Sequence, residues 1–210
     1  MTQLDETQAP VKKGYRTYVL VLLTLVYAFN FVDRQIIGIL SPFIKEDLGL
    51  DDAQLGFLKG LAFAIFYTIM GIPIAWLADR YNRVTIVSIS LALWSLFTAL
   101  SGKASNYTTL ALARIGVGVG EAGGSPPSHS IISNLYAPEE RSRALAIYAL
   151  GIPIGIMLAY FASAGIIFGM VTGKISAAAS PWRMVMLAVG LPGIVLAVLL
   201  RLTVREPVRP

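Results

Sequence analysis

The sequence predicts an all-α polytopic membrane protein of six transmembrane helices, and three observations carry that expectation. Only 29 of the 210 residues are formally charged, 17 Lys and Arg with 12 Asp and Glu, where a soluble domain of this length carries roughly 52 at ~25%. Hydrophobic residues make up 56% of the chain, and the mean hydropathy of +0.69 is more than a water-soluble fold of this size can hide. The apolar residues also gather into six stretches, each near the ~20 residues that cross a bilayer as a helix, separated by short polar connectors. Disorder and an ordinary soluble enzyme are excluded. With no cysteine and the single histidine His129, disulfides, thiolate chemistry and a Cys- or His-rich metal site are excluded too, so no metal and no cofactor is expected. The net charge of +5 falls in the connectors rather than on one face, a topological pattern and not a nucleic-acid footprint.

Residues 1–16 are polar, end in Lys12, Lys13 and Arg16, and lack the apolar core of a signal peptide; they read as a cytoplasmic tail. The six-helix domain follows over 17–204, and 205–210 begin a cytoplasmic central loop. The first segment, Thr17 to Leu40, carries Asp33 and Arg34 in its interior. The second, Ala53 to Ala78, has a start signal in Asp51 or Asp52 with Gln54 near the capping-box position. A very short turn leads to the third, Val84 to Leu100. On spacing alone, Arg80 and Arg83 hold that turn inside and Asp79 caps a helix start.

The fourth segment, Thr108 to Leu135, is glycine-rich: Gly116, Gly120 and Gly124 form a small-residue face for a neighbouring helix. Its literal G-x-G-x-x-G, Gly118, Gly120 and Gly123 with Glu139 downstream, lacks the strand and βαβ unit a dinucleotide site needs. In the fifth, Ala144 to Met170, the residues Gly151, Pro153 and Gly155 read as a kink. The sixth, Pro181 to Val204, opens on a proline suited to a helix's first turn. With the N-terminus inside, Lys12, Lys13, Arg16, Arg80, Arg83, Arg141, Arg143, Arg201, Arg205 and Arg209 lie on the cytoplasmic side. Lys45, Lys59, Lys103, Lys174 and Arg183 lie opposite. Ten against five predicts both termini cytoplasmic, as in a plasma (inner) membrane protein.

Charges within the spans carry the functional expectation. Asp33 lies about sixteen residues into the first span and Glu121 about thirteen into the fourth, some 20 to 24 Å along helices that cross a core of about 30 Å. Arg114 and Glu121, seven apart, share a helix face. A charge in hydrocarbon costs at least ~2.5 kcal/mol on insertion scales, so these side chains should face a bundle interior or a wet cavity. Two readings stand side by side: an Arg–acid pair that locks the first and fourth helices together, or an anion-binding or counter-ion Arg114 with Asp33 and Glu121 exchanging protons. Ser125 and His129 are four apart, but a third orienting group and oxyanion donors are missing, so no enzyme is expected. Tyr27, Tyr67 and Tyr148 suit packing or a cavity wall.

The run Ala75-Trp76-Leu77-Ala78-Asp79-Arg80-Tyr81-Asn82-Arg83 resembles the signature loop of the major facilitator superfamily, G-x-x-x-D-R-x-G-R-R. Asp79, Arg80 and Arg83 match, while Ala75 and Asn82 replace the glycines and Val84 the last basic residue. Arg114, Gly118 and Ala122 match that family's R-x-x-x-G-x-x-x-A pattern. Pro138 to Ala144 resembles the connector before its fifth helix, and Arg205-Glu206-Pro207 the exit from its sixth. The segment Asn30-Phe31-Val32-Asp33-Arg34-Gln35, with Gly120-Glu121-Ala122, Pro126 and Pro127, is similar to the spinster-like branch, associated with export of sphingosine phosphate or lysophospholipids. The resemblance implies the amino-terminal half of a transporter, two three-helix units in inverted relation, with Asp33 and Glu121 in corresponding helices. It implies that these two acids carry protons, that Arg114, Arg34 and Asn30 face an amphipathic organic anion, and that Asp79, Arg80 and Arg83 form a conformational latch. The implied partners are substrate, protons, membrane lipids and a second six-helix half, the chain being a fragment, an engineered piece or a natural half-transporter. The alternative is a non-transporting scaffold or partner-binding bundle, which has no need of Asp33, Arg114 and Glu121 at cavity depth.

Overall fold

The computed structural model describes residues 12–173 and 180–209; most of the expected N-terminal tail, and Lys174 in the charge count, lie outside them. Among the described residues there are helices and no strand. The first helix, α1, runs Lys13–Leu48 and closes on Gly49 at φ +61°, whose N–H returns to the Lys45 carbonyl. It outlasts the expected end at Leu40. Ser41 and Pro42 interrupt the hydropathy run but not the helix, because the Ser41 hydroxyl bonds back to the Gly38 carbonyl at 2.8 Å and Ile44 remains buried.

Helix α2 runs Asp52–Arg80, with a π-helical turn at Phe57–Leu61. The expected capping box is present: the Asp51 carboxylate accepts the Gln54 N–H at 2.7 Å and the Gln54 side chain accepts the Asp51 N–H at 3.1 Å. Helix α3, Arg83–Ser101, corrects one expectation. Its cap is Asn82, which accepts the Thr85 N–H at 2.8 Å, while Asp79 sits in the last turn of α2.

The fourth span, α4, is two pieces, Tyr107–Glu121 and Ser125–Leu135, where one continuous helix was expected. Pro126 and Pro127 cannot donate backbone hydrogen bonds, and their rings clash with carbonyls one turn earlier. The helix therefore stops at Glu121 and restarts with proline in its first turn. Helix α5 spans Pro138–Val171 with a turn at Leu150, and α6 runs Pro181–Thr203 with Pro181 at its first position. Five of the six are long and apolar enough to cross a membrane.

The packing pattern reveals the internal symmetry. Helix α3 lies along α6, α1 along α5 and α6, and α4 along α2 and α3. Exchanging α1, α2, α3 for α4, α5, α6 maps this set of neighbours onto itself, as two inverted three-helix repeats require. Close approach depends on glycine at two of these contacts. A Cβ on Gly120 would lie 2.7 Å from the Trp94 nitrogen on α3, and one on Gly151 would lie 2.8 Å from the Thr24 carbonyl on α1. The glycine fingerprint of the fourth span thus serves helix packing, and Gly151 joins a helix contact as well as standing beside the α5 turn. Two apolar cores result, one around Leu23, Leu91, Trp94 and Ile131, the other around Ile37, Leu110 and Trp182. Between them lies a polar layer.

Candidate functional site

That layer is built from α1, α3 and α4. Asn30 and Asp33 on α1, Thr98 on α3, and Arg114 and Glu121 on α4 are all at most 2% exposed. The Thr98 hydroxyl donates to the Asp33 carboxylate at 2.5 Å. Arg34 reaches across from α1 and donates through Nε to Glu121 Oε2 at 2.9 Å. Its guanidinium lies 4.9 Å from the ring centres of both Phe63 and Tyr67 and 5.4 Å from that of Phe31, an aromatic collar on which a cation is favourable. The Arg34 side chain is 29% exposed and that of Glu121 fully buried, so the pair has one open side.

The expected grouping of Asp33, Arg34, Arg114 and Glu121 is therefore present, with one correction. The residue in contact with Glu121 is Arg34 and not Arg114. Seven residues of helix separate Arg114 from Glu121 by about 10 Å, and the facing arginine fills the space instead. Arg114 acts on Asp33, Glu121 and Arg34 through charge alone. Among the described residues its Nε and Nη1, the second oxygen of Glu121 and the Asn30 side-chain oxygen Oδ1 are buried without a hydrogen-bond partner. Buried polar atoms are ordinarily paired, so this cluster presents donors and acceptors left without partners. The aromatic collar was missed in the sequence; its signal was Phe63 and Tyr67, four apart on one helix face.

A groove of about 610 Å³ runs along α2 from Tyr67 at the collar to Asp79 at the helix end, walled on the other side by Ala122 and Pro126 at the α4 break. At its far end the three expected latch residues do not meet. Asp79 is exposed and its carboxylate makes no hydrogen bond among the described residues, while Arg80 lies over the Trp76 ring at 4.1 Å. Arg83, 3% exposed, turns inward: Nε to Glu206 at 2.6 Å, Nη1 to the Ser130 hydroxyl at 2.8 Å and Nη2 to the Pro207 carbonyl at 2.8 Å. Glu206 also accepts the Val84 N–H at 3.0 Å, and Arg209 donates to the carbonyls of Ala78, Asp79 and Tyr81. Residues 205–209 thus strap the ends of α2, α3 and α4, a role the sequence signalled only by Glu206 next to a proline at a helix exit.

The opposite end repeats the arrangement. Arg183, near the start of α6, donates to Asp47 in the last turn of α1 at 2.8 Å and to the Ala104 carbonyl just after α3. Arg83, at the start of α3, likewise joins α4, through the Ser130 hydroxyl, to the segment after α6, through Glu206, with the acid on the trailing segment rather than on the helix. Asp47 also accepts from Ser180 at 2.6 Å and the Trp182 indole at 3.0 Å. Ser125 and His129 form no dyad: exposed His129 packs edge-on against Tyr148, 5.1 Å between ring centres. Tyr148 in turn stacks on Tyr27 at 4.4 Å.

Residues 23–210 match the family described as the Major Facilitator Superfamily. An MFS-type efflux pump of Mycolicibacterium smegmatis is 36% identical over 87% of this chain and 40% of its own length. The Probable galactarate/D-glucarate transporter of Bacillus subtilis is 31% identical over 96% of this chain and 43% of its own. A crystal structure of a bacterial homolog to the human lysosomal transporter spinster, inward-facing and unoccupied, superposes with a TM-score of 0.87 at 42% identity, covering 95% of this chain and 45% of that one. The chain spans less than half the length of each of these proteins. It belongs to the Major Facilitator Superfamily, as a six-helix half of that fold with a spinster-like protein among its neighbours.

Proposed function

We propose that this chain is the amino-terminal half of a proton-coupled secondary transporter for a lipid-like or amphipathic organic anion, such as a lysophospholipid or sphingosine phosphate. The observation that carries the reading is Arg114, fully buried between two buried acids with two nitrogens unbonded among the described residues. A buried arginine in that condition suits an anion anchor. Asp33 and Glu121 are the proton carriers; with both ionised, the two acids balance Arg34 and Arg114, and each proton taken up leaves one positive charge uncompensated. Proton and anion occupancy are coupled through that balance. The collar of Phe31, Phe63 and Tyr67 gives the anion's apolar part a surface, and Asn30 supplies a polar contact. Asp79, exposed beside Arg80 at the end of α2, meets a second six-helix half as a latch, and Arg83 at the start of α3 anchors the turn behind it. The domain runs over 17–204 between a cytoplasmic tail and the start of a cytoplasmic central loop, in a plasma (inner) membrane; the charge asymmetry of ten against five supports this orientation.

A second reading, a hydrophilic dicarboxylic sugar acid as substrate, is favoured by the relative named for galactarate and D-glucarate, since a carboxylate suits Arg114 as well as a phosphate does. The test is flux in proteoliposomes of the complete two-half protein, with a lysophospholipid and with D-glucarate, with and without an imposed pH gradient. Lysophospholipid flux should follow the gradient and be lost in Asp33→Asn and Glu121→Gln. Glucarate flux alone establishes the second reading, and gradient-dependent flux unchanged in both variants removes the acids from the coupling role. No flux of any anion leaves the scaffold alternative in its place.

A further inference from the structure

We propose that the groove between the first turns of α1 and α5 binds the phosphate headgroup of an anionic membrane lipid. The site is separate from the polar layer, about thirteen residues or roughly 20 Å along α1 from Asp33, and stands whatever the transported substrate. The cavity measures about 340 Å³ and is formed by the two helices and Tyr136. On α1 it is lined by Lys13, Arg16 and Leu20; on α5 by Glu140, Arg143 and Ile147. Each set recurs every three or four residues and so occupies one helix face.

Both faces change from charged to apolar over seven residues, about 10 Å. They start at the same level, because Arg16 donates to Glu140 at 2.9 Å. The groove therefore has a cationic mouth and an apolar inner end, the polarity profile of a phospholipid from headgroup to upper acyl chain. Three cations face one acid, and that acid is already held by Arg16. The Arg16 guanidinium is further fixed over the Tyr136 ring at 4.9 Å, yet its Nε is buried with no hydrogen-bond partner among the described residues. Lys13 and Arg143 are exposed and in no ion pair among those residues. A phosphate offers several strong acceptor oxygens to such a set. Leu20 and Ile147 at the inner end favour a lipid over a soluble phosphate, since a phosphate alone leaves that half of the groove without a partner.

The test is native mass spectrometry of the full chain in detergent, titrated with phosphatidylglycerol, phosphatidylcholine and glycerol phosphate. Phosphatidylglycerol should be retained over phosphatidylcholine. Each cation near an anionic lipid contributes about fivefold, so the double variant Lys13→Gln with Arg143→Gln should lose about thirtyfold. Arg143→Lys should keep most of the retention. Arg201→Gln with Arg205→Gln removes two cations from the same end outside the groove and should leave retention unchanged, with melting temperatures checking that all variants are folded. Equal retention in the groove variant and the wild type overturns the proposal, as does an equal loss in the Arg201 and Arg205 variant. Displacement of the lipid by glycerol phosphate at equal concentration overturns the lipid source and assigns the groove to soluble anions.

Discussion

Arg83 and Arg114 are buried to nearly the same degree, 3% and 1% exposed, yet they are used in opposite ways. At its end of the bundle Arg83 bonds through all three nitrogens to Glu206, Ser130 and Pro207, and Arg183 ties the other end by symmetry-related contacts. In the middle, Arg114 keeps Nε and Nη1 without partners among the described residues. A buried charge with its bonds complete fixes an arrangement, whereas one with bonds left over is held ready for something else. The bundle is stapled at both ends and chemically unfinished between them.

The largest expected effect on folding comes from breaking the complete site. Arg83→Ala strands Glu206 and removes the link between α3, α4 and the strap, so it should cost on the order of 3–5 kcal/mol, read as a fall in unfolding temperature in detergent. The other clamp is more open, with Arg183 and Asp47 side chains 25% and 30% exposed, and Asp47→Asn should cost less, about 1–2 kcal/mol, from weakened charge-assisted hydrogen bonds. If Asp47→Asn destabilises more than Arg83→Ala, burial is not what sets the two ends apart. Smallest is Asp79→Asn, whose exposed carboxylate is unbonded: stability should stay within about 0.5 kcal/mol while the turnover of the complete transporter falls. Unchanged turnover in that variant would leave Asp79 with a topological role only.

Orientation sharpens the same comparison, because it decides which clamp faces the cytoplasm. The chain has no cysteine, so single cysteines report directly. Labelling from outside should reach positions 106 and 172 and spare 82 and 138; the reverse pattern places the Arg183 clamp inside instead.

What the sequence made legible followed from local rules. The six spans come from apolar content, the start of α2 from the Asp51 and Gln54 capping box, the start of α6 from Pro181, and the presence of Asp33, Arg34, Arg114 and Glu121 in one layer from the high cost of charge in lipid. What it did not make legible depended on tertiary competition. Asn82 rather than Asp79 caps α3 because α2 continues through Arg80, which a short turn of polar residues does not announce. The α4 break after Glu121 was readable in Pro126 and Pro127, but hydropathy runs through it unchanged. Which arginine meets Glu121 depends on the aromatic shelf that α2 offers Arg34, and Glu206 meets Arg83 only because the chain folds back after α6.

The central claim is that the middle of this six-helix bundle is built for transport and its ends for integrity. Its most direct test measures stability and flux on one variant, Arg114→Gln, in the complete two-half protein. Among the described residues Arg114 makes no side-chain hydrogen bond to lose, and one of its two buried acids can take up a proton in its place, so the unfolding temperature should fall less than in Arg83→Ala, corresponding to a loss of about 1–2 kcal/mol. Gradient-driven flux should be abolished. Wild-type flux together with a collapse of stability comparable to Arg83→Ala would show that Arg114 is a third structural lock and that the two regions do not differ in kind.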